Sequence, residues 1–284
     1  MKHVAVMVAA VLVAGMWLGF AGVEPARAQQ VSPPQEYTPP PALPEKPLTP
    51  LEQEERSADL LMARKRYSEA AEAYKLLQKK MTKKDPRMVV VLNKIGIAYH
   101  QLLKLDEAKR YYDRAVKQDK TYAPAYNNVG TVNYNRKRYG SAIKAYKKAL
   151  ELDYDNATVH SNLGYAYFAQ KKYEEAFLSF HRAVSIDPGV FEQRGGGAGS
   201  LLQDRSVEDR RLFFFFLAKA FASQSNAERT AFYLKKALDE GYSLAAVPKD
   251  PSFVSVVSDP QVQTVLRAAG ILPPATPTVP PPQL

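Results

Sequence analysis

The chain of 284 residues contains no cysteine. That excludes disulfides, thiol catalysis and a cysteine-borne lipid anchor. Histidine is scarce too, with four in all. His100, His160 and His181 are the ones beyond the N-terminal segment, and their spacing makes no metal motif on one helix. No glycine-rich run carries the Gly-Lys-Ser/Thr ending of a phosphate loop; RGGGAGS, from Arg194 to Ser200, lacks it. Ser200 has no G-x-S-x-G around it and no histidine nearby in sequence. No catalytic constellation is present, so a non-enzyme without cofactor or metal is expected.

Long apolar runs are also few. Val4 to Val23 is uncharged and 20 residues long, and it follows Lys2 and His3. Ala26-Arg27-Ala28 then reads as a signal-peptidase site before Gln29. Residues 1–28 are therefore expected to be a signal peptide; the alternative is an uncleaved inner-membrane anchor, since such a run is long enough to span a bilayer. Either way the rest of the chain is expected outside the cytoplasm, periplasmic or envelope-associated. Residues 29–50 are crowded with proline, which favours an extended tether. A proline-rich ligand for another domain is the alternative. Residues 273–284 form a second such tail. The overall composition, 46% hydrophobic and 24% charged, is that of a globular protein.

What is present is a repeat. Aligned on Gly96, Gly130 and Gly164, the chain returns to one pattern every 34 residues. Ile95, Val129 and Leu163 precede the glycines. Ala108, Ala142 and Ala176 follow at one fixed offset, then Tyr112, Tyr146 and Phe180, then Ala115, Ala149 and Ala183. The units are 89–122, 123–156 and 157–190. In each, two helical stripes of apolar residues predict a helix pair. A mid-helix glycine costs about 1 kcal/mol against alanine, so each glycine marks a place where a second helix comes very close. Weaker copies flank these units at 51–84, with Ala58, Tyr74 and Leu77, and at 211–240, with Ala218, Leu234 and Ala237. Residues 191–210 are expected to be a glycine-rich loop. In 241–272, Asp250-Pro251 and Asp259-Pro260 are helix starts. Phe253, Val256, Val257, Val262, Val265 and Leu266 would cover the open end that a repeat array leaves.

The pattern resembles the tetratricopeptide repeat (TPR) family. Tyr126, Val129, Gly130, Ala142, Tyr146 and Ala149 carry it in one unit; Leu163, Gly164, Tyr167, Ala176, Phe180, Ala183 and Pro188 carry it in the next. His160, Asn133 and Tyr154 depart from it, standing where an aromatic, a tyrosine and a proline are usual. His160 is expected to fill core there. The resemblance implies an all-α solenoid of stacked antiparallel helix pairs, here five, with capping helices at the C-terminal end. It implies protein–protein interaction, with a concave groove lined by the first helix of each pair. In this sequence those slots hold Asn93, Lys94, Asn127, Asn128, Thr131, Tyr134, Asn162, Tyr165 and Phe168. An asparagine ladder that holds extended peptides is one mode in the family. Asn128 and Asn162 match it and Lys94 interrupts it; the alternative is that asparagine is simply common there. A second mode, the clamp for a C-terminal carboxylate, is not matched, because its slots hold residues such as Glu55, Asp59, Pro124 and Asn128.

Net charge is +10, and residues 51–190 hold 26 basic against 17 acidic residues. Basic residues recur at the turn inside each pair: Arg64, Lys65 and Arg66; Lys104; Arg136, Lys137 and Arg138; Lys171 and Lys172. Stacking would align them into a basic edge suited to acidic proteins, anionic lipid or an envelope polymer. The alternative is a solvated edge that aids solubility. Nucleic acid is a poor partner for an exported chain. Phe213 to Phe216 is expected to be mainly aromatic core, with self-association through it as the rival reading. The partner itself is not legible.

Overall fold

The computed structural model describes residues 48–192 and 206–274. The expected signal segment, most of the proline-rich linker, most of the glycine-rich loop and most of the C-terminal tail lie outside the described residues. Among the described residues the fold consists of eleven α-helices and two 3-10 turns, with no strand. Ten helices form five consecutive pairs: α1 (Pro50–Ala63) with α2 (Tyr67–Lys80), α3 (Met88–Gln101) with α4 (Leu105–Gln118), α5 (Ala123–Asn135) with α6 (Tyr139–Leu152), α7 (Ala157–Ala169) with α8 (Tyr173–Ile186), and α9 (Val207–Ala222) with α10 (Ala227–Asp239). Each second helix also packs on the next first helix, and α3, α5 and α7 touch in succession. The result is an all-α solenoid.

Local sequence sets several of the boundaries. Thr49 caps α1: its hydroxyl accepts from the Glu52 N–H, and the Glu52 carboxylate accepts from the Thr49 N–H at 2.7 Å, with Pro50 as first helical residue. Such reciprocal capping satisfies two otherwise orphaned donors. Side chains of Asn156, Ser206 and Asn226 cap α7, α9 and α10 in the same sense. His160 and Tyr154, both departures from the repeat pattern, meet each other. The buried His160 ring sits edge-on to Tyr154, and its Nε2 lies 2.9 Å from the Tyr154 carbonyl oxygen.

The periodic glycines face aromatic rings. A Cβ added to Gly96 would stand 2.5 Å from a Tyr112 ring carbon; at Gly130 the ring is Tyr146, also at 2.5 Å, and at Gly164 it is Phe180, at 2.4 Å. Tyr74, Tyr112, Tyr146 and Phe180 are all fully buried. So the close approach is made by a side chain of the second helix lying flush on the first. The flanking alanines Ala108, Ala115, Ala142, Ala149, Ala176 and Ala183 are fully buried as well. The outer pairs fill the slots differently. At the same sequence offsets the fifth pair has buried Ala218 with the smaller Leu234, and the first has buried Ala58 with Tyr74, whose hydroxyl is held by Asp59.

At the C-terminal end, Asp259 caps α11 (Pro260–Ala268), which packs on α10. Asp250-Pro251 starts only the three-residue 3-10 turn Pro251–Phe253 rather than a longer helix. There Phe253 is buried against Phe215, Lys219 pairs with Asp250 at 3.1 Å, and the Ser255 hydroxyl donates to the Ala222 carbonyl. Those contacts pin the segment to α9 and bend it away from a helical path. Val256, Val262, Val265 and Leu266 are buried, whereas Val257 is only half-buried.

Gly130→Ala should lower stability by about 1 kcal/mol. The about 1 kcal/mol of helix propensity it gains is outweighed by about 1–3 kcal/mol of overpacking against Tyr146. In a thermal-unfolding cycle, Tyr146→Leu should remove most of the penalty of Gly130→Ala, because it recreates the Ala218–Leu234 combination. Equal penalties in both backgrounds would contradict the contact.

Candidate interaction surfaces

The slot shared by Lys94, Asn128 and Asn162 ties each first helix back to the one before it. The Asn128 side-chain amide donates to the Asn93 carbonyl oxygen at 2.8 Å, and Asn162 donates to Asn127 at 3.0 Å. Lys94 donates to Glu55 and to Asp59 at 2.8 Å each. Asn135 and His100 pair in the same way at 2.8 Å, further along the same helices. The Thr131 hydroxyl donates to the Asn127 carbonyl and accepts from Tyr146. The sequence pattern therefore locates a row of polar side chains whose first task is register between repeats. A side-chain amide has two N–H donors and a carbonyl. Asn128 and Asn162 each use one N–H on the neighbour and stay half-buried at the surface.

The electrostatics follow from this packing. Burial alone would lower the Lys94 pKa, but the hydrogen bonds that Lys94 donates to Asp59 and Glu55, with their negative charges, outweigh it and raise it. Tyr74, buried and hydrogen-bonded to Asp59, is pushed far above the usual phenol range. Burial lowers the pKa of His100, which favours the neutral ring beside Asn135.

Four of the expected groove residues need correction. Tyr165 and Phe168 are each only 2% exposed. Tyr165 stacks on Phe213 at 5.3 Å between ring centroids and meets Phe191 and Phe180; Phe168 packs on Phe213, Phe216 and Tyr173. α9 thus seals this end of the face with aromatic side chains. Tyr134 is buried against Tyr139, and Asn93 is buried beneath Asn128. The accessible part of the face is Asn127, Asn128, Thr131 and Asn162, with Lys94 partly covered and Thr158 and Asn135 exposed beside them. The self-association reading of the phenylalanine run is corrected on the same ground. Phe213, Phe215 and Phe216 are buried, and Phe214 lies half-buried between Tyr233 and Lys236.

The second surface is the edge formed by the turns inside the pairs. In every pair the residue at the turn apex has left-handed backbone: Lys65, Leu103, Lys137, Lys171 and Ser225, with φ of 56–59°. That conformation costs a non-glycine residue roughly 1–2 kcal/mol. The following residue is the N-cap of the second helix. Arg66, Lys104, Arg138 and Lys172 stand there without a side-chain capping hydrogen bond. A good cap is worth about 1 kcal/mol, and a cation at a helix N-terminus opposes the helix dipole. The fifth pair shows that the same turn accepts a proper cap, because Asn226 accepts from the Arg229 N–H.

Neighbouring turns lie side by side. Arg136 is ion-paired to Asp106 across turns, and a Cβ on Gly140 would lie 3.6 Å from Gln170 of the next turn. Arg66 pairs with Glu69, so Arg66 and Arg136 are engaged within the chain and belong less to the free edge than expected. Arg64, Lys65, Lys104, Lys137, Arg138, Lys171 and Lys172 are exposed and form no ion pair among the described residues. Sequence reasoning missed Leu103, which is 80% exposed at the apex of the second turn. The signal lay in alignment, since Leu103 occupies the slot of Lys65, Lys137 and Lys171.

Lys94→Ala should destabilise the fold by about 2 kcal/mol, because it leaves Glu55 and Asp59 close together without their cation. Asp59→Ala in that background should restore part of the loss in urea unfolding. A neutral Lys94→Ala would contradict the stitching role.

Among the described residues no helix is long and apolar enough to cross a membrane, and no three histidine, aspartate or glutamate side chains come together as metal ligands. No curated protein matches the chain. Solved structures with a similar path include MamA, at 23% identity over 64% of this chain and 93% of that one, with a TM-score of 0.44. BtubC (BKLC) from P. vanneervenii is 19% identical over 67% of this chain and 79% of its own, with a TM-score of 0.47. YrrB, described as a TPR protein with an unusual peptide-binding site, is 18% identical over 66% and 84%, with a TM-score of 0.43. The family profile for the tetratricopeptide repeat matches residues 89–122 and again 157–190, and a TPR repeat profile matches 130–171. With a glycine under an aromatic ring in each of the matched repeats, residues 89–122 and 130–190 are tetratricopeptide repeats, and the five consecutive helix pairs have the architecture of a protein–protein interaction scaffold.

Proposed function

We propose that this chain is a non-catalytic scaffold that holds an extended peptide or helix of a partner protein against the first-helix face of α3, α5 and α7. The observation that carries this reading is the half-buried row of Asn127, Asn128 and Asn162. Each of Asn128 and Asn162 spends one amide hydrogen on register and keeps a second donor and a carbonyl. Such groups suit the backbone of an extended segment whatever its side chains. Thr131 and the exposed Asn135 and Thr158 extend the row along the helices. Burial of Tyr165 and Phe168 by α9 limits the site to the central repeats, so the partner segment is short. The apolar N-terminal run and the A-x-A triplet support a place in an envelope-associated assembly.

A photo-reactive amino acid in place of Thr158, on this face, should crosslink one partner in the native envelope. The same probe in place of Leu178, 62% exposed on α8, should not. Salt added before irradiation should leave the Thr158 crosslinking yield largely unchanged, because the contacts are neutral hydrogen bonds. Adducts from Leu178 alone, or none at Thr158 while the turn edge crosslinks, would overturn the groove reading.

A further inference from the structure

We infer that the turn edge of α1 to α8 docks on an anionic lipid bilayer, with Leu103 entering the headgroup–acyl boundary between flanking lysines. Three observations converge. The edge carries seven exposed basic residues with no ion-pair partner among the described residues: Arg64, Lys65, Lys104, Lys137, Arg138, Lys171 and Lys172. It carries them where they are locally unfavourable. Lys65, Lys137 and Lys171 take left-handed backbone, and Lys104, Arg138 and Lys172 occupy uncapped helix starts. Solubility alone needs no charge at such positions, because any exposed helix face would serve. The second turn then breaks the basic row with a leucine that is 80% exposed, in the same left-handed conformation.

Leu103 decides between occupants. A soluble polyanion or an acidic protein segment would satisfy the lysines and leave Leu103 in water. A bilayer offers anionic headgroups to the lysines and an apolar layer just beneath them to the leucine. Leu103 is next to Lys104 in sequence, and the adjoining third turn presents Lys137 and Arg138, so cationic and apolar groups share this part of the edge. This surface is distinct from the first-helix face, and either could operate without the other.

The test is flotation of the full chain with phosphatidylcholine vesicles, with and without phosphatidylglycerol. Every variant keeps the same N-terminal segment, so differences between variants report the edge. Wild type should partition preferentially to the phosphatidylglycerol vesicles and be released by salt. Lys65→Gln, Lys137→Gln and Lys171→Gln together should lower that partition by about 100-fold. Leu103→Gly should lower it by about tenfold, yet raise the melting temperature, because glycine relieves the left-handed apex. Binding and stability moving in opposite directions is a signature that a purely structural leucine cannot give. Equal partition of wild type to both vesicles would overturn the proposal. So would a Leu103→Gly protein that floats like wild type while the triple lysine variant loses inorganic polyphosphate binding, which would assign the edge to a soluble polyanion.

Discussion

A ring laid flat on a glycine is the contact on which the rest of this solenoid depends. In the three central pairs, the absence of a Cβ at Gly96, Gly130 and Gly164 lets Tyr112, Tyr146 and Phe180 sit flush on the first helix. That fixes the spacing within a pair, and the fully buried alanines on either side keep the second helix equally close. Once the pair is fixed, its outer surfaces follow. One side of the second helix receives the next repeat, the first helices line up in succession, and the turns fall along a common edge. Repeat proteins of this kind are stabilised by each unit and its contact with the next, so a device repeated in the three central units sets the geometry of the middle of the array.

Side chains between repeats then do two jobs at once. The Lys94, Asn128 and Asn162 slot supplies register, because each side chain reaches the preceding first helix. A polar stitch is more specific than an apolar contact, since a shifted register would leave half-buried donors unpaired. The amide groups left over are what give the central repeats a surface able to hold a peptide backbone. At the far end, α9 closes the array against α7 with phenylalanine and tyrosine rings, and the segment from Phe253 to Leu266 closes α9 and α10 in turn. The openings left are the polar face of the central first helices and the basic edge.

Much of this was legible in the sequence, for identifiable reasons. The period, the glycine and the aromatic 16 residues later are local and repeated, so they announced the helix pairs and their closeness. The two Asp-Pro steps announced an end cap, though only the second begins an α-helix. Exposure on the first-helix face was less legible. Tyr165 and Phe168 occupy slots that are open in a lone unit, and only the packing of α9 on α7 buries them. The stitches were hidden because Asn128 and Asn162 reach back 35 residues, one off the 34-residue period, so neither meets its own slot in the preceding unit. The left-handed apices were hidden because lysine and leucine are residues that avoid that conformation.

The most direct test of the account is the chemical shift of glycine Hα protons in the folded protein. Gly96, Gly130 and Gly164 lie against buried rings, while Gly140, exposed at the start of α6, meets only Gln170 beyond its chain neighbours. Ring currents should displace the Hα signals of the first three well away from ordinary helical values, leaving Gly140 undisplaced. Replacing Phe180 with leucine should return Gly164 alone to the ordinary range. If all four glycines resonate together in the ordinary helical range, the rings do not rest on the glycines, and this explanation of the pair geometry fails.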